Sequence, residues 1–221
     1  MTLKLNGSSS GSVSIDAPAS TTGGADVTFK LPVADGSNGQ ALTTNASGQL
    51  AFATVASGKV LQMIQTTKKD VESVTVSHST WESLNFQASI TPSAATSKIR
   101  FQAVLQTALS STHGYFIQVY RSINGGAAAA LTGYQGDTNG SRTEASQANS
   151  NNPNTQFRVM AMDYIDDISS WTSGAITYYI YGHHGEHIAS KVMYLNRGGS
   201  DSNHQQTPSP MSTITLTEIS A

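Results

Sequence analysis

Residues 99–106 read Ile-Arg-Phe-Gln-Ala-Val-Leu-Gln. Apolar side chains occupy every second position, and three of the four positions between them carry Arg or Gln. A period of two predicts a β-strand with one face in a core and the other at the surface, as antiparallel sheets commonly have. The same alternation recurs in residues 115–120, where Tyr115, Ile117 and Val119 share one face.

Further strand-like segments run from residue 60 to the end of the chain, separated by polar loops. Their predicted bounds are Val60 to Thr66, Val74 to Val76, Leu84 to Ile90, Ala127 to Leu131, Phe157 to Met162, Ala175 to Tyr181, Ser190 to Asn196 and Ser212 to Ile219. No window has a sustained helical period. Roughly nine or ten strands at this spacing predict an all-β fold, an antiparallel β-sandwich of jelly-roll type.

The first quarter of the chain has a different composition. Short alternations at Leu3–Leu5, Val13–Ile15, Val27–Leu31 and Leu50–Phe52 are separated by small and turn-forming residues. Alone, so little apolar surface would not offset about 1–2 kcal/mol of backbone entropy per residue. A flexible linker is the alternative, but the spaced apolar residues favour a slender β-rich stem stabilised by partner chains. The predicted assembly contacts are Val13, Ile15, Val27, Phe29, Leu31, Leu50 and Phe52.

Aromatic residues mark a predicted domain boundary. Both Trp, all eight Tyr and four of the six Phe lie beyond residue 57. We therefore predict an N-terminal attachment and trimerisation segment, residues 1–57, and a C-terminal knob, residues 58–221.

Composition excludes several classes of function. Only 12% of the residues are charged, against about 25% in an average protein, and the net charge is −2. We therefore expect no nucleic-acid partner. The chain has no cysteine, which excludes disulfides and thiolate catalysis. It has neither an apolar run of ~20 residues nor an apolar leader at its start, so we expect no membrane insertion and no signal peptide.

Three stretches of the sequence resemble a known family. Residues 36–52 read Gly-Ser-Asn-Gly-Gln-Ala-Leu-Thr-Thr-Asn-Ala-Ser-Gly-Gln-Leu-Ala-Phe, and Gly-Ser-Val-Ser-Ile-Asp-Ala-Pro at 11–18 precedes Val-Thr-Phe-Lys-Leu-Pro at 27–32. These stretches, with Met-Ser-Thr-Ile-Thr-Leu-Thr-Glu-Ile at 211–219, resemble tail-fibre-like virion proteins of marine and cyanobacterial bacteriophages. The predicted strand order of the knob is similar to the trimeric jelly-roll heads of the tumour-necrosis-factor and complement-C1q type.

This resemblance implies a bacteriophage virion structural protein that is assembled in the host cytoplasm. The implied assembly is a homotrimeric fibre or spike whose N-terminal segment docks onto tail or capsid proteins. Its distal knob would attach to host-surface polysaccharide. Two alternatives stay open: a capsid head fibre or decoration protein, and a glycan-processing tailspike enzyme.

Two polar stretches, residues 135–155 and 197–210, are the predicted receptor-binding loops. Long polar loops in a compact domain are typically functional, and Asn, Gln, Ser and Tyr suit adaptable hydrogen bonding to glycans. The candidate residues are Asp137, Asn139, Arg142, Asn151, Asn152, Asp201, Asn203 and His204. Trp81 and Trp171 are predicted core or subunit-interface residues.

Residues 182–187, Gly-His-His-Gly-Glu-His, hold the densest set of metal-ligand side chains. We predict a polar hairpin loop here without a metal; His183, His184 and His187 would be the ligands of any metal site. Asp163, Asp166 and Asp167 are predicted to lie in a solvated corner. The one Gly-x-Ser-x-Gly match, at residues 7–11, is not followed by a helical period and so is not a hydrolase elbow, and the sequence has no phosphate-binding loop. We therefore predict no enzyme activity and no cofactor.

Overall fold

The computed structural model describes residues 3–6, 9–15, 21, 24–45, 47–54, 60–137, 139–149, 158–187, 189–199 and 208–220, with backbone only for 3–6 and 13–15. The chain divides into two compact units, Met1–Ala56 and Ser57–Ala221. Both units are built from antiparallel strands, so the protein is all-β. Within the described ranges, no helix has the length and apolarity needed to cross a bilayer.

The first unit contains two antiparallel hairpins. Strand β1 (Leu3–Asn6) pairs with β2 (Ser12–Ile15), and β3 (Gln40–Thr44) pairs with β4 (Leu50–Thr54). A glycine with positive φ comes shortly before the second strand of each hairpin: Gly11 at 76° and Gly48 at 79°. Glycine adopts this conformation without a steric penalty.

The strand predicted at Val27–Leu31 is wrong, because that segment forms only one parallel bridge, between Lys30 and Gln49. The amide of Lys30 donates to Gly48 O over 2.8 Å, and the amide of Leu50 donates to Lys30 O over 2.8 Å. In the described part of the chain no other strand pairs with it. Val27, Phe29 and Leu31 are therefore left with side chains at least 62% exposed.

In its described residues, the second unit is a sandwich of eleven strands with a short 3-10 turn at Thr132–Tyr134. The strands are β5 (Val60–Lys68), β6 (Glu72–Val76), β7 (Glu82–Ile90), β8 (Lys98–Leu109), β9 (Tyr115–Ile123), β10 (Ala129–Ala130), β11 (Gln147–Asn149), β12 (Arg158–Asp167), β13 (Ile176–His184), β14 (Lys191–Leu195) and β15 (Ser212–Ile219).

Strand pairing defines two sheets with jelly-roll connectivity. One sheet runs β7-β13-β9, with β10 and β11 both paired to the far side of β9. The other runs β12-β8-β15-β5. Strand β14 pairs with the last residues of β8, Thr107 to Leu109, and β6 pairs with the other side of β14. Neighbours within each sheet come from distant parts of the sequence, as in the double Greek key of a jelly roll. The predicted antiparallel sandwich is confirmed.

The core lies between the two sheets, and the alternation at residues 99–106 is confirmed. The inward side chains of β8 meet those of the opposite sheet, and all are buried: Ile99, Phe101, Ala103 and Leu105 face Tyr115, Ile117, Val119, Ile176, Tyr178 and Ile180. Full burial of each large apolar side chain contributes roughly 1.5–3 kcal/mol. Trp171 is part of this core, and its Nε1 donates to Gly174 O over 2.9 Å.

One predicted strand and one predicted loop differ from the structure. The strand predicted at 127–131 is reduced to Ala129–Ala130. The polar stretch 135–155, predicted as a loop, contains β11, which pairs with β9 through Gln147–Asn149. A polar segment completes a sheet here because the edge of β9 supplies its hydrogen-bond partners.

The predicted acidic corner is also wrong, because Asp163, Asp166 and Asp167 belong to β12. Asp163 and Asp167 point outward, whereas Asp166 is buried between the sheets. Arg121 Nη1 lies 2.6 Å from Asp166 Oδ2, and the hydroxyl of Tyr178 donates to the same oxygen over 2.7 Å. Burial and the adjacent carboxylate raise the pKa of Tyr178 far above its usual value, so it remains a donor.

Glu218 joins the end of β15 to two other parts of the sandwich. Its carboxylate is fully buried and accepts hydrogen bonds from Gln62 Nε2 over 2.6 Å and from Ser93 N and Oγ, each over 2.7 Å. Burial by itself would raise the pKa of Glu218. Hydrogen bonds from Gln62, Ser93 and Ser97 outweigh that effect and lower the pKa to about 2.

Glu218→Gln is expected to lower the free energy of unfolding by about 3 kcal/mol at pH 7. The folded-state pKa lies below the ordinary value of 4.5, so this stabilisation is complete above about pH 4.5 and is lost as the pH falls towards 2. Urea unfolding of the two proteins at pH 7 and at pH 3 measures the difference, which should shrink at pH 3. The control is Asp137→Asn at an exposed position, whose free energy of unfolding should stay within about 0.5 kcal/mol of wild type. An equal loss of unfolding free energy in both variants would contradict the role of Glu218.

Gly48→Ala is expected to disrupt the β3–β4 hairpin, since the new Cβ would lie 1.9 Å from the carbonyl oxygen of Thr28. Gly39→Ala is the matched control: Gly39 also has positive φ, 86°, but its Cβ would meet nothing within 4 Å. Amide hydrogen exchange across residues 27–54 should show lost protection in Gly48→Ala and a smaller change, from about 1–2 kcal/mol of backbone strain, in Gly39→Ala. Equal effects would show that the close approach to Thr28 is unimportant.

Candidate functional site

A pocket of about 380 Å³ lies at one end of the five-stranded sheet. The register of β13 against β9 places His183 opposite Phe116 and His184 opposite Tyr115, so both imidazoles stand where the two strands meet the loops. The described residues that line the pocket are His78, Phe116, Ser141, Arg142, Thr143, His183, His184, Gly185 and His187. His183 and His184 are thus strand residues, and the prediction of a hairpin loop at 182–187 is wrong for its first half.

Ring contacts join the four histidines of the pocket to one another and to two aromatic side chains. The ring centroid of His78 is 6.2 Å from that of His184 and 5.7 Å from that of His187. The ring of His183 lies 5.0 Å from Trp81 and 5.9 Å from Phe116. Trp81, predicted as a core or interface residue, is half-buried against this cluster.

His184 has a buried hydrogen-bond donor without an acceptor. The backbone N–H of Glu186 donates to His184 Nδ1 over 3.1 Å, so the neutral ring carries its proton on Nε2. His184 is 0% exposed, and Nε2 has no hydrogen-bond partner among the described residues. Desolvation, followed by the proximity of His183 and His78, lowers the pKa of His184 and keeps the ring neutral.

His183 has a second buried nitrogen of this kind. Its side chain is buried under Trp81 and Phe116, and in the described structure Nδ1 has no partner. Desolvation lowers the pKa of His183 as well, against a smaller opposite effect from the backbone of His78. The pocket therefore presents neutral imidazoles.

Glu186, which lies between two pocket-lining residues in sequence, is engaged elsewhere. Its Oε2 lies 2.9 Å from Lys191 Nζ and 3.2 Å from both Ser111 Oγ and His113 Nδ1. The Lys191 contact is the main cause of the lowered pKa of Glu186. Among the described side chains, no three His, Asp or Glu residues are placed to hold a metal ion.

The predicted receptor-binding residues divide into two groups. Arg142 lines the pocket, and Asp137 and Asn139 are exposed in the same loop region. Asn151, Asn152, Asp201, Asn203 and His204 lie outside the described residues.

The predicted assembly residues of the first unit are largely at its surface. Val27, Phe29 and Leu31 are exposed, Leu50 is half-buried, and the partly exposed ring of Phe52 packs over Gly36. The side chains of Val13 and Ile15 lie outside the described residues.

The outer face of the six-stranded sheet is a second candidate surface, which the sequence analysis did not identify. One row across it reads Met63, Thr217, Arg100 and Ile165 on β5, β15, β8 and β12. The next rows hold Gln65, Thr215, Gln102 and Asp163, then Thr67, Thr213, Val104 and Ala161, and they border an open groove of about 460 Å³. Met63, Val104, Val159 and Ile165 are between 43% and 67% exposed. Arg100 and Asp163 pair across the face, which leaves it neutral and partly apolar.

No protein-family model matches the chain, and no curated protein does. Among solved structures, the infectious bursal disease virus Gx strain has 15% identity and a TM-score of 0.36 over 77% of this chain and 43% of that chain. T=1 particles derived from the same virus have 14% identity and a TM-score of 0.39 over 78% of this chain and 39% of that chain. The T13 viral particle has 15% identity and a TM-score of 0.40 over 77% of this chain and 38% of that chain. The chain spans about two fifths of the length of these proteins. Similarity at this level assigns neither a family nor a function.

Proposed function

We propose that this chain is a bacteriophage virion structural protein, a homotrimeric fibre or spike without enzyme activity that attaches to host-surface polysaccharide. The observation that carries this proposal is the uncovered outer face of the six-stranded sheet. The resemblance of residues 11–18, 27–32, 36–52 and 211–219 to phage fibre proteins supports it independently.

The outer face has the chemistry of a subunit interface. Exposed Met63, Val104, Val159 and Ile165 stand among Thr, Gln and Ala side chains, and the one ion pair is internally neutralised. Contiguous apolar patches on soluble proteins commonly mark interaction sites. We assign this face to two further copies of the same chain, since a closed ring of three buries it in every copy.

The extended segment of the first unit supports docking onto another virion protein. Val27, Phe29, Leu31 and Val33 alternate along it, all with exposed side chains. Among the described residues its backbone forms one β-bridge, at Lys30, and the side-chain amide of Gln49 donates to Lys30 O and Leu31 O. An extended, unpaired segment with alternating apolar side chains suits strand addition to a neighbouring sheet.

The histidine-lined pocket gives the second unit a place to bind a host ligand. Its lining combines an exposed guanidinium, hydroxyl groups and aromatic rings. These groups suit hydrogen bonding to, and stacking against, sugar rings. Three copies on one assembly would raise the affinity by avidity, without any new contact.

The double variant Met63→Lys, Ile165→Lys is expected to convert the trimer to monomer. It places two charges in one row of the face, and burying them unpaired is costly. Analytical ultracentrifugation should give wild type three times the 23.2 kDa chain mass and the variant a single chain mass. Val71→Lys, at an exposed apolar position between β5 and β6, is the control and should remain trimeric. A monomeric wild type, or a trimeric double variant, would refute this interface.

Attachment is tested by titrating fluorescent wild-type protein onto host cells. Binding is expected to saturate and to be competed by purified host envelope polysaccharide. The monomeric double variant should bind roughly 100-fold more weakly, because it loses avidity. Equal binding to cells stripped of polysaccharide would exclude the attachment role. Electron microscopy of virions lacking the protein would separate a tail fibre from a head fibre or decoration protein.

A further inference from the structure

We infer that the pocket around His183 and His184 binds a carboxylate-bearing sugar unit, a hexuronic acid, of an acidic host polysaccharide. This inference deepens the proposed function and rests on it, because it names the ligand class of the attachment site. Each part of the pocket matches one part of such a sugar.

The buried Nε2–H of His184 requires an acceptor. A buried donor without a partner costs about 1–3 kcal/mol, and buried polar groups in native proteins are nearly always paired. Within the described structure Nε2 has none, and His184 lines the pocket. A ligand oxygen is therefore the partner that this arrangement lacks.

The Nδ1 atom of His183 adds a second position that a ligand can fill. In the neutral ring, a nitrogen without its proton accepts a hydrogen bond from a hydroxyl group. Nδ1 of His183 and Nε2 of His184 are thus two hydrogen-bonding atoms on adjacent residues that line one pocket, and a sugar hydroxyl, which both donates and accepts, can pair with either.

Arg142 decides for an acidic sugar over a neutral one. Its side chain is exposed at the pocket wall, between Ser141 and Thr143, which also line the pocket. No Asp or Glu occurs among the described lining residues. A guanidinium binds a carboxylate through two parallel hydrogen bonds, which are stronger than neutral ones.

The size and the apolar wall of the pocket agree with one sugar ring. The ring of Phe116 lies 5.9 Å from that of His183 and offers a flat surface for the C–H face of a pyranose. A volume of about 380 Å³ lies near the lower end of the roughly 300–1,000 Å³ typical of small-molecule sites.

The test titrates D-glucuronate into the 221-residue chain at pH 7, with D-glucose in parallel, and follows the histidine ring protons by NMR. Glucuronate is expected to shift pocket histidine signals and to saturate, and glucose to bind at least tenfold more weakly. Arg142→Gln should weaken glucuronate binding about tenfold or more. Lys69→Gln makes the same change in net charge at an exposed position and should leave binding unchanged.

Arg142 is exposed, so the Arg142→Gln protein is expected to fold. This variant alone decides the test, even if a protein with the buried His184 changed to Asn fails to fold. Equal binding of glucose and glucuronate, no binding at about 50 mM, or full binding by Arg142→Gln would each overturn the inference. Host-cell attachment without glucuronate binding would overturn the ligand class alone. Glucuronate binding without host-cell attachment would support the pocket and remove the attachment role.

Discussion

The sandwich depends on β15 lying between β5 and β8. This strand pairs with β5 on one side, about 150 residues away in sequence, and with β8 on the other. Ser212, at its start, donates to Asn196 Oδ1 over 2.7 Å, and the side-chain amide of Asn196 donates to Lys68 O and Asp70 O, each over 2.9 Å. Glu218 secures the other end of the strand. Buried polar groups therefore fix the register at both ends, and Ile214 and Leu216 fill the core between them.

The same strand order sets the two candidate surfaces. Alternation along β5, β15, β8 and β12 sends one set of side chains into the core, so the alternate set necessarily shares the outer face with Met63 and Ile165. At the end of the opposite sheet, pairing of β13 with β9 brings His183 and His184 beside Phe116. Strands hold these three side chains in place, and loops supply the other described lining residues, Arg142 among them.

The sequence predicted the all-β class because apolar alternation is a local signal that pairing preserves. It did not predict the outer face, since Met63 and Ile165 are brought into one row only by strand order and register. It misplaced Asp163–Asp167 and His183–His184 because polar residues favour turns locally, whereas tertiary pairing overrides that preference. The Arg121–Asp166–Tyr178 contact joins residues from three strands and has no local signal. At Val27–Leu31 the alternation was present, but the partner strand was not.

The unpaired nitrogens of the histidine pocket stand out against the way this protein treats its other buried polar groups. Asp166 is bound by a guanidinium and a hydroxyl, Glu218 accepts at least three hydrogen bonds, and Asn196 uses both ends of its amide. The fold thus supplies partners to buried groups wherever they serve stability. His183 Nδ1 and His184 Nε2 are the two buried side-chain nitrogens in the described ranges left without one, and both residues line the same pocket. Buried polar groups without a partner concentrate at functional sites, which is why we assign the missing partner in this pocket to a ligand.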